Sequence, residues 1–401
     1  MADQSVLALL RTSPRFAWLM GVTAVNAVAI GAGEITRLGY VTDSLDGEIG
    51  IGVVASIFAV CIPVSSVVAG RNMDVRDPRP FLVGSIIIGG GASLTTAWVL
   101  GRGPMPLGWL VATTALDAIT VGISMTALLK VQAATVRPGA RGRAETVNIL
   151  RNGVGGAIGT VVAGFIADDV TTLVLSGAIT VTVGAATAAI VAPVSIPDSP
   201  PVQRRLKELV SAVRNGESLR RTVSVNLILA TVLPSQFVAL VITDRDAPAV
   251  ATTAFAASLL GVLVGRLALM VTGLRGNLTR RLRATYLGFT ALCAVSIPML
   301  TSGWLLDRTV LLTVMVFAGS VLVSFTEKFP IALLQQQVPE ELRGTLSGAI
   351  IAARSLIIGA AAAAFTWLTY VHNATVLTVA VTATLAAGYL LAGRFQGLTT
   401  D

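Results

Sequence analysis

The chain has 401 residues, of which 54% are hydrophobic and 12% charged, with a formal net charge of +8 and a mean hydropathy of +0.80. A soluble protein carries about 25% charged residues, so this composition excludes an ordinary soluble domain and points to a polytopic membrane protein. The basic excess sits in short loops between apolar stretches, so it is a matter of topology; no nucleic-acid partner is expected.

Twelve apolar stretches run from Phe16 to Phe395. About 20 residues at about 1.5 Å each cross the hydrocarbon layer, and in lipid the backbone must bond within itself, so each stretch is predicted as a helix. The expected spans are 16–40, 48–70, 80–101, 105–130, 143–167, 171–194, 221–243, 249–272, 284–304, 309–332, 344–370 and 374–394. The stretch opening at Phe16 is too long for a cleavable signal. The expected fold is an all-α membrane protein, with twelve transmembrane helices in two pseudo-symmetric six-helix bundles.

One set of alternate connections holds Arg11 and Arg15, then Arg71, Arg76 and Arg79, then Arg137, Arg141 and Arg143. It continues through Arg204, Arg205, Lys207, Arg214 and Arg220 to Arg275, Arg280, Arg281 and Arg283, then Arg343 and Arg394. The opposite set holds Arg102, Arg245 and Arg308 beside acids such as Asp43, Asp46, Glu48, Asp168 and Asp169. The positive-inside rule then places both termini in the cytoplasm. Arginine supplies 26 of the 29 basic residues, and alanine and glycine are abundant, which points to a GC-rich bacterial genome and hence to the bacterial cytoplasmic membrane.

The longest connection divides the chain into bundles 1–194 and 221–401, with a linker at 195–220. The linker starts Pro-rich, and Leu206, Leu209, Val210 and Val213 then recur at helical spacing opposite a basic face, which predicts an amphipathic surface helix. The halves echo each other. Ala127–Gln132 is similar to Ala332–Gln337; each is followed by a Pro/Arg/Gly turn and a span with an arginine, Arg151 or Arg354, and five residues on a glycine, Gly156 or Gly359. Such internal symmetry marks transporters built from repeats.

These features resemble the Major Facilitator Superfamily over essentially the whole chain. The loop after the second span, Gly70-Arg71-Asn72-Met73-Asp74-Val75-Arg76-Asp77-Pro78-Arg79, is similar to that family's gating motif at Gly70, Asp74 and Arg79, with Arg76 between. Val75 and Asp77 stand where the motif has a basic residue and a glycine. The turn Val338–Gly348 and the linker from Leu209 to Arg221 are similar to bacterial drug and natural-product exporters of the macrolide- and siderophore-exporter type. The fifth span carries glycines 153, 155, 156, 159 and 164, but has Thr160 where antiporters often have a proline. The resemblance implies proton-coupled efflux, an antiporter or multidrug activity.

Ionisable groups inside spans are costly, and are functional or paired. Glu34 lies about 27 Å along the first span; with Arg37 three residues on it either forms a local ion pair or is a proton-coupling carboxylate. Asp117 has no opposite charge within a helical turn. It must find a partner on another helix, Arg151 being the expected one, or line a wet cavity as a proton carrier. Glu327 with Arg354 would mirror an Asp117–Arg151 pair; alternatively the two arginines attract an anionic substrate. Asn226 and Gln236, with Pro234, are candidates to line a cavity in the seventh span.

The expected function is secondary active transport of a small amphipathic organic molecule by alternating access, with protons and membrane lipids as partners, no cofactor, and a monomer as the working unit. A lipid flippase of the same fold is the alternative, kept open by the 5% aromatic content. A lone His372 and two isolated cysteines, Cys61 and Cys293, argue against an enzyme or a metal site, and no nucleotide-binding fingerprint is present.

Overall fold

The computed structural model describes residues 6–44, 47–73, 76–136, 141–166, 168–193, 202–246, 248–272, 276–302, 304–305, 307–337, 340–370, 374–393 and 399–400, with side chains described for most of them. A short helix α1 (Val6–Thr12) precedes six long ones: α2 (Pro14–Ser44), α3 (Gly47–Met73), α4 (Pro78–Leu100), α5 (Leu107–Thr135), α6 (Arg141–Phe165) and α7 (Asp169–Ile190). The linker forms α8 (Val202–Asn215). Six more long helices follow: α9 (Glu217–Asp246), α10 (Pro248–Thr272), α11 (Leu278–Thr301), α12 (Thr309–Gln337), α13 (Glu340–Tyr370) and α14 (Ala374–Gly393). Two-residue strands β1 (Gly276–Asn277) and β2 (Thr399–Thr400) pair antiparallel. Each expected span coincides with one long helix. Over their described residues, six of these helices are long and apolar enough to cross a membrane.

The chain forms two compact units: Met1–Val41 with Val60–Ser199, and Thr42–Ala59 with Pro200–Asp401. In lipid, apolar side chains gain nothing by leaving one hydrocarbon for another, so helices associate where small residues let backbones touch. In the first unit α2 lies on α6, where Gly31 meets Gly156 and a Cβ on Gly159 would stand 2.1 Å from the Val28 carbonyl oxygen. Helix α3 lies on α5, where Gly122 faces Ile62 and Ser65, and Ser66 donates to the Gly122 carbonyl at 3.1 Å. Helix α4 lies on α7 through Gly90, Gly177 and Gly184.

The second unit repeats this pairing. Helix α9 packs on α13. Helix α10 packs on α12 through Gly261 and Gly265, with the Ser258 and Ser320 hydroxyls 2.9 Å apart. Helix α11 packs on α14, where Gly388 faces the Tyr286 ring. In both units, then, the first long helix packs on the fifth, the second on the fourth and the third on the sixth. This is the physical form of the repeat legible in the sequence.

Helix α8 differs from the expected surface helix in its contacts. Ala212 and Val213 pack against Leu219 of α9 and Ile350 of α13, while Val210 remains 59% exposed. Part of its apolar face is therefore spent on protein.

Helix α7 starts at a side-chain cap: Asp168 Oδ2 accepts the Thr171 hydroxyl at 2.5 Å and the Thr171 N–H at 2.8 Å. These bonds, the hydroxyl first, hold the Asp168 carboxyl below its ordinary 3.8. A lowered folded-state pKa gives stability that is present above the ordinary value and lost as pH falls through the folded one. Asp168→Asn, which keeps a capping oxygen, is therefore expected to remove that acid-side dependence of the melting temperature, whereas Asp168→Ala lowers the melting temperature at neutral pH as well. Thermal melts of the detergent-solubilised protein at neutral and acid pH check both.

The α2–α6 contact gives a second prediction. Gly159→Ala drives a methyl into backbone and is expected to cost about 1–3 kcal/mol, the usual cost of overpacking. Gly164→Ala on the same helix, where a Cβ meets nothing within 4 Å, should be neutral or stabilising by up to about 1 kcal/mol. Denaturation midpoints of the two variants should move apart.

Candidate functional site: a charge cluster on the first, third and fourth long helices

In the first unit, Arg37 of α2 reaches two neighbouring helices. Its Nη1 lies 2.9 Å from Asp117 Oδ2 on α5, and its Nη2 donates to Ser93 Oγ on α4 at 2.7 Å. The side chains of this pair are only 12% and 9% exposed. Close backbone packing makes the reach possible. Gly33, one turn before Arg37, lies against Ser176 of α7, whose hydroxyl donates to the Ala29 carbonyl at 2.7 Å. That contact fixes the rotation of α2 about its axis.

The partners differ from those expected. Asp117 does find its partner on another helix, but that partner is Arg37 and not Arg151. The reason is position: Arg151 lies one turn before Gly155, which meets Ala27 of α2, itself nearly three turns before Arg37 at 3.6 residues per turn. Its Nη2 instead donates to Asn152 Oδ1 at 2.5 Å. Nor does Glu34 pair locally with Arg37, whose guanidinium is spent on Asp117 and Ser93. Glu34 is exposed and lies within electrostatic reach of Asp117 and Arg37. Ser93 was not singled out in the sequence. Its signal was weak, one hydroxyl among many, and only the three-helix arrangement gives it a role.

The loop after α3 is organised by its departure from the family pattern. Asp77 caps α4, accepting the Arg79 N–H at 3.0 Å with Pro78 as the first helical residue. Arg79 in turn donates to the Ala188 carbonyl near the end of α7 at 2.8 Å, where a cation is favoured by the helix dipole. Arg76 is exposed, and the Gly70 carbonyl accepts Lys130 Nζ at 3.1 Å. Asp74 lies outside the described residues.

In the second unit Arg354 is 8% exposed and Asn226 fully buried. Neither the Oδ1 nor the Nδ2 of Asn226 has a partner among the described residues. Next to it, the Val225 carbonyl accepts the Tyr286 hydroxyl at 2.8 Å, and that phenol feels the Arg354 charge. Asn226 has a counterpart that the sequence reading missed. Val25-Asn26 stands in α2 as Val225-Asn226 stands in α9, and Asn26 Oδ1 is likewise buried without a partner among the described residues. Glu327 and Gln236 lie within α12 and α9, but their side chains are outside the described ones. A cavity of about 250 Å³ in the first unit, bordered by Arg15, Leu19, Thr135 and Ile190, lies at the arginine-rich helix ends, away from the charge cluster.

The helix pattern, the repeat and the intramembrane charges meet in one comparison. The sequence pattern of the Major Facilitator Superfamily matches residues 19–364. The chain belongs to the Major Facilitator Superfamily. It is a multi-pass membrane transporter of twelve transmembrane helices in two six-helix bundles, and not an enzyme. Similar solved structures include the nucleoside transporter NupG (11% identity, TM-score 0.71, 94% of this chain and 99% of that one). The human organic anion transporter MFSD10 (TETRAN) is 12% identical, with TM-score 0.70 and coverage of 95% and 99%. The fucose:proton symporter FucP of E. coli is 14% identical, with TM-score 0.67 and coverage of 95% and 98%. No curated protein sequence matches the chain.

Removing one partner of a buried ion pair leaves the other uncompensated, at a cost of about 3–5 kcal/mol. Arg37→Met and Asp117→Leu should each lower stability by about that much, and the double variant should recover most of it. A double-mutant cycle on denaturation midpoints measures the coupling.

Proposed function

We propose that this transporter exports small amphipathic organic compounds by alternating access, in exchange for protons, across the cytoplasmic membrane of a bacterium with both termini inside. The observation that carries this reading is the Arg37–Asp117 pair with Glu34 one turn away. Three ionisable groups held together within transmembrane helices are expensive, and are kept where they border a wet passage and exchange ions. A proton that neutralises a carboxylate here weakens its hold on Arg37, and with it a tie between α2 and α5. A single titration is thereby linked to helix packing, which is what coupling by a two-state element requires.

The same fold carries proton-linked transport in the fucose:proton symporter, which supports the coupling ion. The outward direction rests on the exporter-like turn before α13 and on the linker. Arg151, Arg354, Asn226 and Gln236 are proposed to contact substrate or to latch the helices that carry them, with Glu327 as a further proton site. Gly70, Asp74, Arg76 and Arg79 are proposed to form the gate.

The test is a panel of labelled amphipathic compounds in proteoliposomes with and without an imposed proton gradient. Wild-type protein should concentrate at least one of them only when the gradient is present. Asp117→Asn and Glu34→Gln should each cut gradient-driven accumulation at least tenfold. Full gradient-driven transport by both variants would remove these acids as carriers, and gradient-independent accumulation by the wild type would end the antiport reading.

A further inference from the structure

The cavity at the arginine-rich helix ends of the first unit is not accounted for by transport. It holds about 250 Å³ and is bordered by Arg15 and Leu19 of α2, Thr135 at the end of α5, and Ile190 and Val191 at the end of α7. That is below the about 300–1,000 Å³ of pockets for drug-sized ligands, so the transported compound is not its occupant. The space suits a ligand the size of a headgroup.

Its rim is positive. The Ser13 N–H donates to the Leu9 carbonyl and the Ala17 N–H to the Ser13 carbonyl, each at 3.0 Å, so helical turns carry across the junction of α1 and α2. Arg11, Arg15 and Leu19 therefore follow one another four residues apart along one ridge. Both arginines are exposed, and neither has a hydrogen bond or ion pair among the described residues. Like charges at this spacing cost about 0.2–0.5 kcal/mol, and a bound anion removes that cost. Arg79 adds a third guanidinium, held on the Ala188 carbonyl two residues before Ile190.

The opposing charges are weaker and partly spent. The C-terminal ends of α5 and α7 carry roughly −0.5 charge each, against three guanidinium groups. The Thr135 hydroxyl already donates to the Gln132 carbonyl at 3.0 Å, and Arg79 covers that of Ala188. Among the described residues no carboxylate borders the cavity, and Asp77 is engaged in capping α4. One turn deeper, Gln132 Oε1 and Thr187 Oγ1 are buried without a partner among the described residues. Polar atoms thus lie beneath apolar walls made by Leu19, Ile190 and Val191. Trp18, next to Leu19 and 67% exposed, sets this end of α2 at headgroup depth, where tryptophan concentrates.

We infer that this cavity binds the headgroup of an anionic phospholipid, with Arg15 and Arg11 holding the phosphate and Leu19, Ile190 and Val191 lying along the start of an acyl chain. Basic pockets between transmembrane helices at the cytoplasmic face take such headgroups, and a guanidinium fork matches the oxygens of a phosphate. A free anion would satisfy the charge but leave the apolar walls uncovered. The bound lipid ties together the ends of α2, α5 and α7, three helices far apart in the chain. The assignment is independent of what the protein transports.

The probe is dioctanoylphosphatidylglycerol, titrated into the full-length protein in a nonionic detergent, with melting temperature and native mass spectrometry as readouts. It should raise the melting temperature saturably, as a ligand of the folded state does. Dioctanoylglycerol, which lacks the phosphate, and glycerol phosphate, which lacks the chains, should each bind at least tenfold more weakly. Arg15→Gln should weaken lipid binding at least tenfold and Arg11→Gln about threefold, whereas Arg15→Lys keeps part of it. Arg102→Gln, just past the other end of α4, should change nothing. Ala134→Leu, which fills the cavity from an exposed position, should melt like the wild type without lipid and lose the lipid-induced rise. Wild-type binding by Arg15→Gln or by Ala134→Leu, an equal loss in Arg102→Gln, or glycerol phosphate binding as tightly as the lipid overturns the inference. Every readout is binding, so failure of the antiport reading leaves this one standing, and the reverse.

Discussion

The close approach of backbones is the constraint on which the rest of this structure depends. In a bilayer the apolar side chain has the same company whether helices are apart or together, so burial of leucine and valine does not assemble the bundles as it would assemble a soluble core. Assembly falls to surfaces that touch where side chains are missing. The contacts of Gly31 with Gly156, Gly90 with Gly177, and Gly261 and Gly265 with α12 are of this kind. They also set where α2 and α4 point their remaining residues. The Arg37–Asp117 pair is a consequence: a guanidinium on α2 meets a carboxylate on α5 only because small residues have fixed the rotation of α2.

The polar inventory follows the same logic. Serine and threonine hydroxyls within the helices mostly return their proton to the carbonyl three or four residues back, as Thr23 does to Leu19 and Thr36 to Ala32. This satisfies them without a partner helix. Some cross between helices instead, as Ser176 to Ala29 and Ser66 to Gly122 do, and Ser324 bonds Val262 beside its local partner Ser320. Each lies at a close contact, so hydrogen bonding and small-residue packing reinforce one another at the same places. Asn26 and Asn226 escape both patterns. Among the described residues the Oδ1 of Asn26 and both polar atoms of Asn226 lack a partner, which is costly in hydrocarbon, and finding such an asparagine in the first long helix of each half ties them to the repeat rather than to chance.

The helices, their number and the twofold repeat of six were legible in the sequence, because a membrane span is declared by composition over about 20 residues and needs no knowledge of its neighbours. The candidate charges were legible for the same reason: Glu34, Arg37, Asp117, Arg151 and Arg354 stand out against apolar surroundings. Their pairing was not. Sequence proximity suggested Glu34 with Arg37, and the repeat suggested Asp117 with Arg151. Both guesses lacked the one quantity that decides contact, the rotation of each helix about its axis, which is set by packing on residues far away in the chain. Asp77 shows the reverse. It looked like a lapse from the family's motif, yet Asp-Pro at a helix start is a local signal, an N-cap followed by proline, and could have been read directly.

A symmetric scaffold does not carry symmetric chemistry here. The two halves share helix pairings, an asparagine in the first long helix and an arginine in the fifth, but the arginine bridging to an acid on the fourth helix belongs to the first half. At the position two hundred residues after Arg37 the second half has Phe237, and at the position after Glu34 it has Pro234. The helix pairings recur in both halves because close packing demands them of any six-helix unit in lipid. The bridge from the first helix to an acid on the fourth does not recur, and such a buried pair is expensive to keep. That division explains why the fold is shared at 11–14% identity with transporters of sugars, nucleosides and organic anions. The scaffold constrains small residues at a few contacts and leaves the charged positions free to differ, so the chemistry of this chain has to be argued from Arg37, Asp117 and Glu34 themselves.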